Sequence, residues 1–237
     1  MVIDLNADVG EGFGADAALV ALVTSANVAC GFHAGDARTM RAICSAAVVA
    51  GAAIGAHVSY RDREGFGRRA LPVEAETVLA EAGEQIEALQ SAALTAGGRV
   101  AYLKPHGALY HRAGSDPDCA AALVAAAVGA DGGPLAVLAF PGSSLLELAR
   151  EAGLLAVAEG FADRAYAVDG TLLPRSERGA TLEAEAAARQ AVALAHGELG
   201  GGVRSICVHG DSACAAALTA QVREALVSAG VELQAFA

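Results

Sequence analysis

Short apolar runs recur along the chain, and most are followed by a polar, glycine-containing turn and then a helical pattern. The first run, Val2-Ile3-Asp4-Leu5-Asn6-Ala7-Asp8, alternates apolar and polar positions, which is the period of a strand. Runs at 26–32, 52–58, 100–104, 135–140, 154–159 and 205–209 predict further strands, and 231–236 predicts a terminal one. Helical patterns fall near 37–50, 73–96, 117–129, 143–152, 183–196 and 212–229. Strands alternating with helices at this spacing imply βαβ units, a mainly parallel sheet and helices outside it. Seven or so units predict a single-domain β/α barrel, closed or nearly closed; an open doubly wound sheet is the alternative. No linker or repeat divides the chain. A glycine turn at 200–202 precedes a strand, and the long irregular stretches 59–72 and 160–182 have the length of lids or binding loops.

Composition narrows the classes. A chain of 237 residues can bury a large core in one domain. A net charge of -11 and the lack of a basic stripe argue against nucleic-acid binding, and the absence of Trp argues against a stacking platform for single strands. The uncharged stretch 42–59 is read as a buried helix, a turn at Gly51 and a buried strand, so no membrane span is expected. The acidic first residues do not form a signal peptide. Five cysteines without a CxxC pair fit a reducing, cytoplasmic setting.

Polar residues gather just past the ends of the apolar runs: Asn6, Asp8 and Glu11; His33 and Asp36; His57; Lys104 and His106; Glu159, Asp163 and Arg164; His209 and Asp211. In a parallel barrel all strand C-termini share one face, so these residues converge there. Lys104 is the single lysine among 16 Lys and Arg residues, and lysine differs from arginine in being a compact point charge with a tunable pKa. Two chemistries remain open for this set. The carboxylates and imidazoles could bind a divalent metal, or they could act as general acid and base, with Lys104 stabilising an oxyanion or phosphoryl group. Neither a P-loop nor an HExxH motif is present, and acidic neighbours make Gly10-Glu11-Gly12-Phe13-Gly14 a poor phosphate loop. Phe140-Pro141-Gly142-Ser143-Ser144 fits either an anion site or an ordinary serine cap. Gly65-Phe66-Gly67-Arg68-Arg69, and with it Arg175-Ser176-Glu177-Arg178, could meet a carboxylate or phosphate bidentately.

The segments Asp4-Leu5-Asn6-Ala7-Asp8-Val9-Gly10-Glu11, Ser25 to Asp36, Gly55-Ala56-His57, Gly65 to Arg69, Leu103-Lys104-Pro105-His106-Gly107-Ala108-Leu109-Tyr110, Phe161 to Tyr166, Asp169-Gly170, Arg175-Ser176 and Cys207-Val208-His209-Gly210-Asp211 together resemble the LamB/YcsF family of 5-oxoprolinase subunits. The likeness runs through nearly the whole chain in order. Ala7 stands where the family often has Cys, and Ser59-Tyr60-Arg61 replaces a more usual Pro-Gly-Tyr. The resemblance implies a barrel like those of glycoside hydrolases and deacetylases. It also implies an ATP-dependent opening of 5-oxoproline to L-glutamate, carried out with two further subunits, ATP and Mg²⁺. On that basis Asp8, Glu11, His33, His57, Lys104, His106, His209 and Asp211 are expected in catalysis. Asn6, Arg68, Arg69, Asp163 and Arg164 are expected to bind substrate, and Asp8, Asp36 and Asp211 to hold the metal. Self-association is a further possibility. A metal-dependent amidase or deacetylase without ATP, and a non-catalytic substrate-binding subunit, are the competing functions.

Overall fold

A computed structural model describes every residue except Asp169, Gly200 and Ala213. The parts of the Asp169-Gly170 motif, the 200–202 turn and the 212–229 helix that fall on these three lie outside the described residues. The elements are β1 (Val2–Val9), α1 (Asp16–Val20), β2 (Ser25–Ala29), α2 (Ala37–Ala50), β3 (Ala53–Val58), α3 (Ala75–Thr95), β4 (Val100–Pro105), α4 (Gly107–Ser115), α5 (Pro117–Val128), β5 (Ala136–Ala139), α6 (Ser144–Glu151), β6 (Ala156–Phe161), α7 (Ala184–Ala195), β7 (Ser205–Val208), α8 (Ala215–Ser228) and β8 (Glu232–Leu233). Strands β1 to β7 pair in sequence order and in parallel, and β1 pairs with both β2 and β7. The sheet therefore closes into a seven-stranded barrel, while β8 adds only to the start of β1, at Val2 and Ile3. Among the described residues no helix is long and apolar enough to cross a membrane. The charge-free stretch becomes the end of α2, a turn and β3.

Local chemistry sets the helix boundaries. Asp36 caps α2 by accepting from the Thr39 amide, and Gly51 closes that helix with φ 72°. Asp116 caps α5, whose first turn holds Pro117. Ser143 Oγ accepts from the Leu146 amide at the start of α6, so Phe140-Pro141-Gly142-Ser143-Ser144 is a capped turn. Two helices had no counterpart in the sequence pattern. One is the five-residue α1; the other is α4, which begins and nearly ends on glycine. Glycine is required at both places. A Cβ on Gly107 would lie 2.5 Å from the Gly67 carbonyl oxygen, and one on Gly114 would lie 2.2 Å from the Phe140 ring.

The faces of the strands are the reverse of the usual barrel, whose interior is filled by branched apolar side chains. Ile3, Leu5, Ala7 and Val9 join the large apolar core with the helices. Asp4, Asn6 and Asp8 alternate with them on the other face, and their partners are Ser25, Asn27, Lys104 and Ser205 from other strands. Among the described residues a small apolar plug of Tyr102, Ala136, Leu138 and Val157 stands apart from the main core. Buried polar groups are tolerated when they satisfy one another, and here they do so in a ladder. Ser25 Oγ donates to Asp4 (2.6 Å), Asn6 Nδ2 to Ser205 (2.7 Å), Asn27 Nδ2 to Asn6 (2.7 Å) and Asp8 (2.8 Å), and Tyr102 Oη to Asn27 (2.6 Å). Gly55 leaves room for that tyrosine, because a Cβ there would sit 2.1 Å from its ring. Gly55→Ala is expected to destabilise the chain by about 1–3 kcal/mol through overpacking. A urea melt checks it, and an unchanged midpoint would show that the ring can move aside.

Candidate active site

The strand C-termini open into a cavity of about 740 Å³ lined by Asp8, Glu11, His57, Lys104, His106 and His209, with Arg68, Arg164 and Arg175 among its other walls. Its floor is built around Lys104, an inward residue of β4, whose side chain is 2% exposed. Its ammonium lies 3.2 Å from Asp8, 3.0 Å from Glu159, 3.3 Å from Asn6 Oδ1 and 3.1 Å from Cys207 Sγ. An ammonium has three protons, which Asp8, Asn6 and Cys207 accept, and Glu159 adds an ion pair. Burial alone would lower the lysine, but Asp8, Cys207 and Glu159 raise it well above its ordinary value. Burial likewise pushes Asp8 up; the Lys104 ammonium outweighs it and holds that carboxyl well below the carboxylate range. Lys104 is thus a fixed positive charge that keeps Asp8 ionised. Cys207 is a neutral acceptor in this cradle, its thiol pushed well up by burial.

A second group stands beside it. Glu11 from the loop after β1, His33 from the loop after β2, His57 on β3 and His106 at the end of β4 bring four donor atoms within 4.8 Å of one another. The rings of His33 and His106 stack at 3.9 Å and 7°. Burial, and then neighbouring imidazoles, push both well below the ordinary histidine value. Burial, then Asp8 and Asp211, push the Glu11 carboxyl up to about 8. Ser59, which replaces proline of the family pattern, supports this group: its hydroxyl lies 2.9 Å from His33 Nδ1.

On the opposite wall His209 Nδ1 lies 2.9 Å from Asp163, which also accepts from the His209 amide, and the imidazole stacks on Phe161 at 5.3 Å. This dyad orients the ring and leaves Nε2 as the nitrogen for chemistry at the cavity. Burial would raise Asp163, but His209 lowers it below its ordinary value of 3.8. Its contribution to stability is therefore full above pH about 4 and is lost as pH falls through the lower folded value. Wild type should exceed Asp163→Asn in stability at neutral pH, and that margin should shrink only below pH about 4. Urea melts across pH check this, and a margin constant down to acid would contradict the dyad.

Several expected site residues lie elsewhere. Asp8, Asp36 and Asp211 do not form a common ligand set. Asp36 is the exposed cap of α2, and the Asp211 carboxylate is shared by Arg68 (2.5 Å) and Arg175 (2.7 Å). Arg69 points away from the cavity and pairs with Asp62, which also accepts from the Gly65 amide. Arg164 reaches the wall, but its guanidinium is spent on the Ala180 and Leu173 carbonyls, so it pins the 160–182 loop. Asn6 lies beneath the cavity and supports Lys104. Asp163 acts on His209 from behind. Of the expected substrate residues, Arg68 is the one that lines the cavity with an exposed side chain, 41% exposed and set over the Phe66 ring. Sequence reasoning missed Ser59, Asn27 and the place of Cys207 in the lysine cradle. Their signal was positional: each faces the barrel interior or its mouth.

A closed parallel barrel with ionised and neutral carboxylates, oriented imidazoles and a cationic rim at its strand C-termini has the architecture of a barrel enzyme. The family model described as the LamB/YcsF family matches residues 3–237, and the chain belongs to that family. A Streptomyces griseus protein named as a 5-oxoprolinase component is 54% identical over the full length of both chains. Its namesake from Mycobacterium avium is 48% identical, covering 99% of this chain and 98% of the other. The crystal structure of a lactam utilization protein from Thermus thermophilus superposes with a TM-score of 0.90 at 39% identity over all of both chains. The peptidoglycan deacetylase PdaC of Bacillus subtilis shares the fold alone, with a TM-score of 0.53 at 13% identity over 98% of this chain and 86% of that one.

Proposed function

We propose that this chain is one component of a cytoplasmic, ATP-dependent 5-oxoprolinase, which binds 5-oxo-L-proline in the barrel mouth and opens its ring to L-glutamate with two further subunits. The observation that carries this reading beyond the family likeness is the Asp163–His209 dyad at the same cavity as ionised Asp8, a cavity that Arg68 and Arg175 also line. The substrate carries one carboxylate and one lactam. Arg68, already sharing Asp211 with Arg175, can turn to the substrate carboxylate. His209 Nε2 takes a proton from the attacking water as its oxygen bonds to the lactam carbon. The same nitrogen returns the proton to the ring nitrogen as the C–N bond breaks. Asp163 stabilises the imidazolium formed between these steps. Lys104 holds Asp8 ionised beside the reacting centre, a positioning role in place of the oxyanion contact expected from the sequence.

ATP and Mg²⁺ belong to the assembled enzyme in this reading. The imidazole-rich cluster does not suit Mg²⁺, which prefers oxygen ligands and keeps its waters, so no step here passes through that ion. Arg68→Ala is expected to raise KM for 5-oxoproline roughly 10- to 100-fold, the worth of a charged hydrogen bond, with kcat little changed. Steady-state kinetics of the assembled enzyme check it; a fall in kcat at constant KM would place Arg68 in the chemistry instead. The proposal itself is tested by mixing the chain with its two candidate partners, 5-oxoproline, ATP and Mg²⁺. Glutamate and ADP formed together, only with all three proteins, support it. Hydrolysis of an amide by the chain alone without ATP would favour the deacetylase-like alternative, and saturable binding without turnover under any condition would favour a carrier role.

A further inference from the structure

We propose that Glu11, His33, His57 and His106 form a binding site for a first-row transition-metal ion of the zinc or cobalt type. Each ring proton has one place to go. His57 Nδ1 faces the Lys104 carbonyl at 3.2 Å, and a carbonyl only accepts, so this nitrogen carries the proton. His106 Nε2 faces the Phe66 carbonyl at 2.9 Å, with the same consequence. Ser59 donates its hydroxyl proton to the Tyr60 carbonyl, so its oxygen accepts from His33 Nδ1. Each ring has therefore committed its N–H to a partner on the far side. Three lone pairs, His33 Nε2, His57 Nε2 and His106 Nδ1, are left beside Glu11 Oε1, and Asp8 Oδ1 stands a further 3.5 Å from His57 Nε2.

Such a cluster cannot satisfy itself. His106 Nδ1 and His57 Nε2 stand 3.0 Å apart with no proton between them. A single proton on Glu11 could serve one neighbour: His33 Nε2 at 3.2 Å or His106 Nδ1 at 3.5 Å. Burial and the stacked His33 and His106 rings oppose making several of them imidazolium. One cation among the four donors takes a lone pair from each once the His33 and His106 rings, stacked nearly parallel here, tilt from one another to aim theirs at it. Donors at about 2.0–2.1 Å from a tetrahedral ion lie roughly 3.3 Å apart. The observed separations of 3.0, 3.2, 3.5 and 3.9 Å bracket that edge. Three neutral imidazoles and one carboxylate select borderline ions such as Zn²⁺ or Co²⁺ over Mg²⁺. The groups behind the rings, Ser59 and two carbonyls, are the supporting shell that metal-binding histidines use. Glu11, His57 and His106 also line the cavity, so an ion held there would be open to ligands entering it.

The test needs no turnover. Chelator-stripped full-length protein, shown to be folded by circular dichroism, is titrated with Co²⁺ and with Zn²⁺ by calorimetry and visible absorption, with Mg²⁺ as competitor. One equivalent of Co²⁺ should bind with d–d bands of a low-symmetry site, and excess Mg²⁺ should leave it in place. Ser59→Ala, which removes only the oxygen that orients His33, should weaken binding about 10- to 100-fold, and Glu11→Gln by at least that factor. Folded wild-type protein that takes up neither ion, or variants that bind as tightly as wild type, would overturn the proposal. Loss of the 5-oxoprolinase reading would leave a positive titration standing, and failed uptake would leave that reading standing.

Discussion

Lys104→Met is expected to destabilise the chain by about 3–5 kcal/mol, because it leaves Asp8 and Glu159 buried without their countercharge. Methionine keeps most of the volume, so the loss reports charge more than packing. The same change has a functional signature. With the ammonium gone, burial is no longer outweighed and the Asp8 carboxyl rises from its depressed value. The acidic limb of the pH–rate profile should then move to higher pH in whatever activity remains. Lys104→Arg should fare little better, since the fork of a guanidinium does not fit a cradle built for a point charge. Chemical denaturation and a pH profile of the assembled enzyme check both parts. A variant with wild-type stability and an unmoved profile would mean that Lys104 is not the countercharge that holds Asp8 ionised.

The second large effect concerns the other wall. Asp163→Asn is expected to lower kcat by roughly 10²- to 10⁴-fold, the usual worth of a positioned acid–base group, with a modest loss of stability near neutral pH. Asn can still accept from the His209 amide, but it can present its NH₂ to Nδ1 and select the wrong tautomer. It also cannot stabilise an imidazolium. KM should change little, because Asp163 stands behind His209 and does not line the cavity. A variant with full kcat would remove His209 from the chemistry.

Much of this site was legible in the sequence because a parallel barrel puts every strand end on one face. His57, Lys104, His106 and His209 each end or follow an apolar run, and they meet as that rule requires. The alternation of β1 was equally plain, but alternation does not say which face looks inward. Here the polar face of Asp4, Asn6 and Asp8 fills the barrel, and the apolar face packs on the helices. What could not be read were the partners chosen by loops. Asp36 and Glu11 both follow strands, yet one caps a helix while the other turns in to three imidazoles. Arg68 and Arg69 are adjacent, yet one overhangs the cavity and the other closes on Asp62. Those outcomes depend on backbone turns, such as Gly67 at φ 66° with its Cβ position against His106 and His33, that no local periodicity records. Helix α4 was hidden for a related reason: glycine is a poor helix former, yet Gly107 and Gly114 are demanded by close contacts with Gly67 and Phe140.

The central claim is that ring opening occurs in this chain, at the mouth of its barrel. It is tested most directly by replacing the wild-type chain with Asp163→Asn in the assembled three-protein mixture and measuring glutamate and ADP together, after gel filtration shows that the variant still associates. The account predicts that glutamate formation falls by at least about 100-fold while the complex stays intact. Glutamate formed at the wild-type rate by the variant complex would contradict it and move the chemistry to a partner protein.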